Sequence, residues 1–437
     1  MTPPSFKTMQ KPRERIHREV LPNGLTILLE EMESVRSASL GFWVRSGSVD
    51  ETEERSGVTH FIEHLLFKRT HNRTNRQIAQ LIDQLGGDVD AFTSKEYTAF
   101  YARVEGRRVN IALELLTDIV RRPVFAPADL EKERKVILEE IAMVEDTPDD
   151  LVQETFIQKY WGGHPLGRPV LGTPATIGKI RVSHVEEIYK TRFVPKNLIF
   201  VAAGAFDAEK LAAEVRNRFG DLRGTSKNRA LRAPKPRPHL SVKTKAEMEQ
   251  IQILMGFDGP NTADPLRFAC TILNVILGGG MSARLFNVLR EKQGLVYTCG
   301  SFWSGFREAG YQCVFAASRK DNLRRVLSES LKVIQKVRKE GMNRSEIVRA
   351  KENVIASFLL GLESTASRMA GLARQEFHFG RVWTIDEIVD GIEAVSSDDL
   401  VRAADRLFRP ETLSLTLLGS IDESPVSLEE LRGVLTG

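Results

Sequence analysis

A two-domain α+β protein, each domain a mixed or antiparallel β-sheet with helices packed on it, is what this sequence predicts. Three observations carry that expectation. The chain has 437 residues, too many for one ordinary core. A succession of strands and helices is written twice along it. A proline-rich break separates the two copies. The expected organisation is a flexible N-terminus at 1–14, a first domain at 15–222, a linker at 223–240 and a second, similar domain at 241–437.

Each copy opens with strands rich in β-branched and aromatic residues. In the first copy these are "GLTILLEE" (24–31) and "SASLGFWVRS" (37–46); in the second, "LSVKTKA" (240–246) and "EQIQILMGF" (249–257). Residues 110–143 and 322–358 each read as two helices joined by a short turn, with apolar residues at i, i+3, i+4 and i+7. Each copy then runs from an amphipathic helix through a proline turn into an apolar strand, at 181–204 and 394–419, and Ser396, Ser397 and Asp398 are candidate caps for the second of these helices. Strands mixed with helix pairs imply layers, with each sheet covered on one face. The segment "LRGTSKNRALRAPKPRPHL" (222–240) has no periodicity and several prolines, as a semi-rigid linker does.

Composition narrows the function. Hydrophobic residues make up 42% and charged residues 27% of the chain, the balance of a soluble globular protein. Sixty-two basic against 58 acidic side chains leave +4, which points to neither a nucleic-acid partner nor an anionic membrane. The longest apolar run, "NLIFVAAGAF" (197–206), is far too short to span a bilayer, so no membrane insertion is expected. Cys270, Cys299 and Cys313 form no CxxC pair and read as reduced thiols. The N-terminus carries arginines but no apolar core of a secretory signal, and a cytoplasmic location is expected.

The chemistry sits in one copy. In "SGVTHFIEHLLF" (56–67), His60, Glu63 and His64 interrupt an apolar run. On a helix, positions i, i+3 and i+4 share a face, so the three side chains point to one place. Two neutral imidazoles at this spacing can bind Zn²⁺, and the carboxylate between them can take a proton from a water molecule. H-x-x-E-H is the inverse of the commoner H-E-x-x-H motif. A cluster of hydrogen-bonded core histidines is the alternative. A catalytic zinc site also needs a third protein ligand, which the motif does not supply. Glu133 and Glu140, seven apart in "EKERKVILEEIAMVED" (131–146), share one helical face and Glu139 points elsewhere. A charged helix nevertheless holds many glutamates, and spacing alone does not choose among them.

At these residues the sequence resembles the pitrilysin–insulinase group of zinc metallopeptidases, in particular its short-chain branch with the mitochondrial processing peptidase subunits and bacterial relatives. The resemblance runs from about Val20 to Gly419 and includes "LPNGLTILLE", "RSGSVDE", "GVTHFIEHLLFK", "GGDVDAFTSKEYTAFY", "VILEEI", "HPLGRPVLGT" and "GGGMSARLFNVLREKQGLVY". It implies the metallohydrolase fold of that group, with zinc ligated by His60, His64 and Glu140. It further implies Glu63 as general base, Glu133 orienting the site, and Arg290 with Tyr297 reaching the substrate and the tetrahedral intermediate. The segment 86–101 reads as a turn followed by a strand. The resemblance makes it the edge to which an extended peptide adds, at Asp90, Ala91 and Phe92. Asp90 stands where many relatives carry asparagine, and Arg69 where "FKGT" is frequent.

The implied activity is a zinc endopeptidase acting on peptides or unfolded polypeptide segments, assembled as a homodimer or with a related subunit. A non-catalytic or partner-dependent scaffold subunit is the rival. The three glycines at 278–280 lack the G-K-[ST] ending of a phosphate loop. His164, in the loop "GGHPLGRP", could line a substrate path, although it and the other remaining histidines read first as structural or exposed.

Overall fold

Runs of apolar residues in the first copy form a six-stranded sheet in the computed structural model, which describes residues 15–226 and 231–437. The expected flexible segment 1–14 and part of the expected linker lie outside the described residues. The strands are β1 (Ile16–Val20), β2 (Thr26–Glu31), β3 (Ser37–Val44), β4 (Asp88–Thr93), β5 (Thr98–Glu105) and β6 (Leu198–Gly204), in the order β1-β2-β6-β3-β5-β4. A second sheet contains β7 (Leu240–Thr244), β8 (Ile251–Gly259), β9 (Val296–Gly305), β10 (Gly310–Ser318) and β11 (Ser414–Gly419), in the order β7-β11-β8-β10-β9. β2 and β6 are parallel, as are β7 and β11, and the remaining pairs are antiparallel. Without β1, the two sheets share strand order and polarity, so the duplication seen in the residues is a duplication of topology.

The histidine motif lies on the first of five successive helices, α1 (Val58–Leu66), α2 (Asn75–Leu85), α3 (Val109–Arg121), α4 (Pro127–Asp146) and α5 (Pro148–Tyr160), and α4 packs directly against it. Phe61 and Leu65 of α1, Leu113 and Leu116 of α3 and Ile137 of α4 join Ile27, Phe42 and Phe100 of the sheet in one core. Pro127 opens α4, where a missing N–H costs nothing.

Two expectations are corrected. Segment 86–101 is a hairpin of β4 and β5 rather than a turn and one strand, closed by the Ser94 N–H donating to the Tyr97 carbonyl at 2.8 Å. In β4 Asp88, Asp90 and Phe92 face solvent at the sheet edge while Val89 and Ala91 pack inward, a strict alternation over only six residues.

Nor is each sheet covered on one face. The helix Thr365–Phe379, from the second copy, lays Met369, Leu372, Ala373 and Phe377 against Leu28, Trp43, Ile199 and Val201 of the first sheet. In return α5, from the first copy, packs Val152, Phe156 and Tyr160 against Leu254, Tyr311, Cys313 and Leu418 of the second. Strands β6 and β11 are buried at every position because both of their faces are covered.

Polar groups orient this exchange. Arg368 pairs with Glu30, with 3% and 6% of each residue exposed. Arg18 grips Glu376 with Nε at 2.9 Å and Nη2 at 3.1 Å. The Ser39 and Thr365 hydroxyls meet at 2.9 Å. Because an unpaired buried charge is costly, Arg368→Met is expected to lower stability in chemical denaturation by about 3 kcal/mol or more. The double change Glu30→Met with Arg368→Met should recover most of that loss.

Candidate metal centre

The buried face of α1 brings His60 and His64 side by side, with ring centroids 4.6 Å apart and planes at 68°. α4 packs against α1 and carries Glu140 to the same point. His60 Nε2 lies 3.6 Å and His64 Nε2 3.5 Å from one oxygen, Oε2, of Glu140. A tetrahedral centre with bonds of about 2.0–2.2 Å separates its ligand atoms by roughly 3.3–3.6 Å. The two histidine–carboxylate distances therefore match the spacing of ligands around one ion. Among the described residues it is the group of histidine, cysteine and carboxylate side chains whose donor atoms all come within 4.8 Å of one another.

Protonation suits the same role. Burial, and then the neighbouring His64, push His60 down to about 3, so its ring is neutral and able to donate a lone pair. His64 Nδ1 lies 3.1 Å from Glu133 Oε2. A proton on Nδ1, donated to that carboxylate, leaves Nε2 bare toward Glu140. Glu133 is itself held by Lys68, whose Nζ approaches Oε1 at 2.9 Å. His60 Nδ1, in contrast, is buried without a hydrogen-bond partner among the described residues. One ligand ring is thus braced and the other is placed by packing alone.

Glu63 sits one turn after His60, with Oε2 accepting from the Thr93 hydroxyl at 2.6 Å. Burial pushes its carboxyl above the ordinary value, while the Thr93 hydroxyl pulls the other way and Asp90 adds to the rise. Thr93 closes edge strand β4, so the carboxylate between the histidines is tied to that edge. Asp90 and Phe92 are exposed on this strand, with Ala91 half-buried. Asp90 accepts from the Tyr101 hydroxyl at 3.3 Å and from the Ala91 N–H at 2.8 Å. Arg69 leaves the end of α1 and bonds Asp129 near the start of α4 at 3.2 Å.

The structure thus brings together His60, Glu63, His64, Glu133 and Glu140. Glu139 is exposed on another side of α4, which resolves the choice that spacing left open. Tyr297 lies on β9, an edge strand of the second sheet, and Arg290 on the short helix Asn287–Lys292 just before it. The Arg290 guanidinium is 5.1 Å from the Tyr297 ring centroid, and Tyr297 is 74% exposed. No hydrogen bond or ion pair joins this pair to the histidine cluster among the described residues. His164 is structural: its Nδ1 accepts from the Leu166 N–H at 3.2 Å and its Nε2 donates to the Arg232 carbonyl at 2.9 Å. Thr93 and Lys68 are the residues sequence reasoning missed. Lys68, four positions after His64, had a local signal; Thr93, thirty positions from Glu63, had none.

Comparison with known proteins places the chain in a family. The family model described as Insulinase (Peptidase family M16) matches residues 26–174, and the one described as Peptidase M16 inactive domain matches residues 179–354. The chain belongs to peptidase family M16. An uncharacterized zinc protease of Streptomyces coelicolor is 36% identical over 94% of this chain and 91% of its own. Another, from Bacillus subtilis, is 33% identical over 94% and 100%. A protease from Helicobacter pylori shares the fold with a TM-score of 0.86 at 21% identity, over 93% of this chain and 99% of its own. Family and relatives together indicate a zinc protease. No helix among the described residues is long and apolar enough to cross a membrane.

Replacing Glu133 by Gln is expected to weaken zinc binding about 10- to 100-fold by loosening the His64 tautomer. Competition with a chromogenic chelator measures this. Glu139→Gln should leave the affinity unchanged.

Proposed function

We propose that this chain is a zinc endopeptidase for extended peptides or unfolded polypeptide segments. The observation that carries the reading is the convergence of His60 Nε2 and His64 Nε2 on a single Glu140 oxygen, with Glu63 beside them. A zinc ion held there supplies a Lewis acid for water and for the scissile carbonyl. Glu63 uses one oxygen to accept from Thr93, and its other oxygen takes the proton of the attacking water. The water oxygen bonds to the carbonyl carbon, the C–N bond breaks, and Glu63 returns the proton to the departing amine nitrogen. Glu133 keeps His64 in the required tautomer. β4, as a sheet edge with unpaired backbone groups, takes the peptide as an added strand at Asp90, Ala91 and Phe92.

Arg290 and Tyr297 belong to this reading as donors toward the developing oxyanion. The family resemblance supports an assembly of two copies, or of this chain with a related subunit. A partner-dependent role is the second reading. A cytoplasmic setting, with no nucleic-acid or membrane partner, completes the proposal and is supported by three free cysteines and the near-even charge.

The test compares wild type with Glu63→Gln on unstructured quenched peptides, with bound zinc quantified in each. Glu63→Gln should keep its zinc and lose about 10²-fold or more in kcat. Removing zinc from wild type with a chelator should abolish cleavage, and adding zinc back should restore it. Equal cleavage by both proteins would refute Glu63 as the base. Negligible cleavage by both, with zinc present, would favour the partner-dependent reading.

A further inference from the structure

The N-terminus of α1 lacks the device most helices use. Its capping residue is Gly57, with φ of +93° and no side chain to accept from the first turn. A Cβ there would lie 2.6 Å from the Leu171 carbonyl oxygen, so a serine or aspartate cap has no room. The exposed N–H groups are met instead from six residues upstream. Glu51 Oε2 accepts from the Gly57 N–H at 2.8 Å and Oε1 from the Thr59 N–H at 2.7 Å. Glu51 is 1% exposed, and a carboxylate at this end of a helix also meets the positive end of its dipole.

The segment carrying Glu51 is tied to a second element. The Ser48 N–H donates to the Ser94 carbonyl at 3.2 Å and the Val49 N–H to the Lys95 carbonyl at 2.9 Å. Gly47 permits this approach, since a Cβ on it would lie 2.4 Å from the Lys95 carbonyl oxygen. Arg168 Nη1 donates to the Glu51 carbonyl at 2.6 Å, and Lys95 Nζ donates to the Arg168 carbonyl. Ser94 and Lys95 form the turn after Thr93, the residue that holds Glu63. Glu51 therefore stands between the helix that bears His60, Glu63 and His64 and the hairpin that bears Thr93.

We propose that Glu51 is a positioning residue of the metal centre, keying the first turn of α1 to the β4–β5 hairpin and so setting where His60 and Glu63 lie. The metal part of this inference rests on the His60–His64–Glu140 cluster, and the part concerning Glu63 rests on the peptidase reading. His60 is the ligand most exposed to a slip of α1, because its ring lacks the brace that Glu133 gives His64. Burial pushes the Glu51 carboxyl up to about 7, against the two backbone donors that lower it. Such a cost for burying a carboxylate is offset only by the contacts it makes.

The experiment uses the full chain as wild type, Glu51→Ala, Glu51→Gln and Ser396→Ala. The last removes the cap of a remote helix, where the Ser396 hydroxyl accepts from the Asp399 N–H at 3.1 Å. Zinc affinity is read by chelator competition, ligand geometry by the visible spectrum of the Co²⁺-substituted protein, and turnover as kcat and KM separately. Glu51→Ala is expected to weaken zinc about 10- to 100-fold, alter the Co²⁺ spectrum and lower kcat more than it raises KM. Glu51→Gln keeps one acceptor and should fall between. Ser396→Ala should lose stability and move none of these. Wild-type affinity and spectrum in both Glu51 variants would overturn the proposal. Should Glu51→Ala fail to fold, Glu51→Gln decides by the same readings. Weaker zinc binding in a Glu51 variant of an inactive wild type would support the positioning role and count against the peptidase reading alone. A wild type that binds no zinc would overturn both.

Discussion

Everything at the site depends on one steric and electrostatic constraint: two imidazole Nε2 atoms and one carboxylate oxygen are packed within reach of each other at the edge of an apolar core. Imidazole nitrogens and a carboxylate oxygen 3.5–3.6 Å apart lie beyond good hydrogen-bond distance. That arrangement leaves the buried His60 ring without a good hydrogen-bond partner, at a cost. A divalent cation at the point of convergence would remove the cost, and with it the difficulty of placing His60, Glu63 and His64 on a buried helix. Lys68 on Glu133, Glu133 on His64 and Thr93 on Glu63 are each an interaction that limits where these side chains can go.

Holding α1 and α4 in register is a task for the whole molecule. α1 is only nine residues long, too short to be stable without tertiary contacts. It depends on the sheet beneath it, and that sheet depends on the helix Thr365–Phe379 from the second copy for its other face. The reciprocal placement of α5 on the second sheet makes the two halves mutually necessary: each completes the other's burial. Buried ion pairs such as Arg368–Glu30 contribute orientation more than net stability, since a matched apolar pair would be about as stable. The half without the H-x-x-E-H motif therefore supports the centre through packing as well as through any contact with substrate.

Much of this was legible in the residues. The spacing of His60, Glu63 and His64 specifies a shared helical face, and "LPNGLTILLE" and its counterpart announce the duplicated strands. The paired runs at 181–204 and 394–419 proved to be β6 and β11 with their preceding helices, in equivalent places in the two sheets. What local patterns missed was nonlocal. The edge hairpin was read as one strand because its turn, Ser94 to Tyr97, is closed by strand pairing and contains no glycine or proline to announce it. One-sided sheets were expected because the covering helices lie in the opposite half of the chain, beyond any periodicity within a single copy.

The sequence by itself determined the fold class, the duplication and a metal-binding face on α1, because these follow from periodicities of two and 3.6 residues acting over short distances. Helix spacing left Glu140 open and the family resemblance implied it; the tertiary structure brings it within 3.6 Å of both rings. Only the tertiary structure decided that Thr93 holds Glu63 and that Glu51 caps a helix whose own cap position must be glycine. Those contacts join residues that are 6 to 80 positions apart. They are fixed by which faces of α1, α4 and the β4–β5 hairpin pack together, and no local preference of the chain encodes that packing.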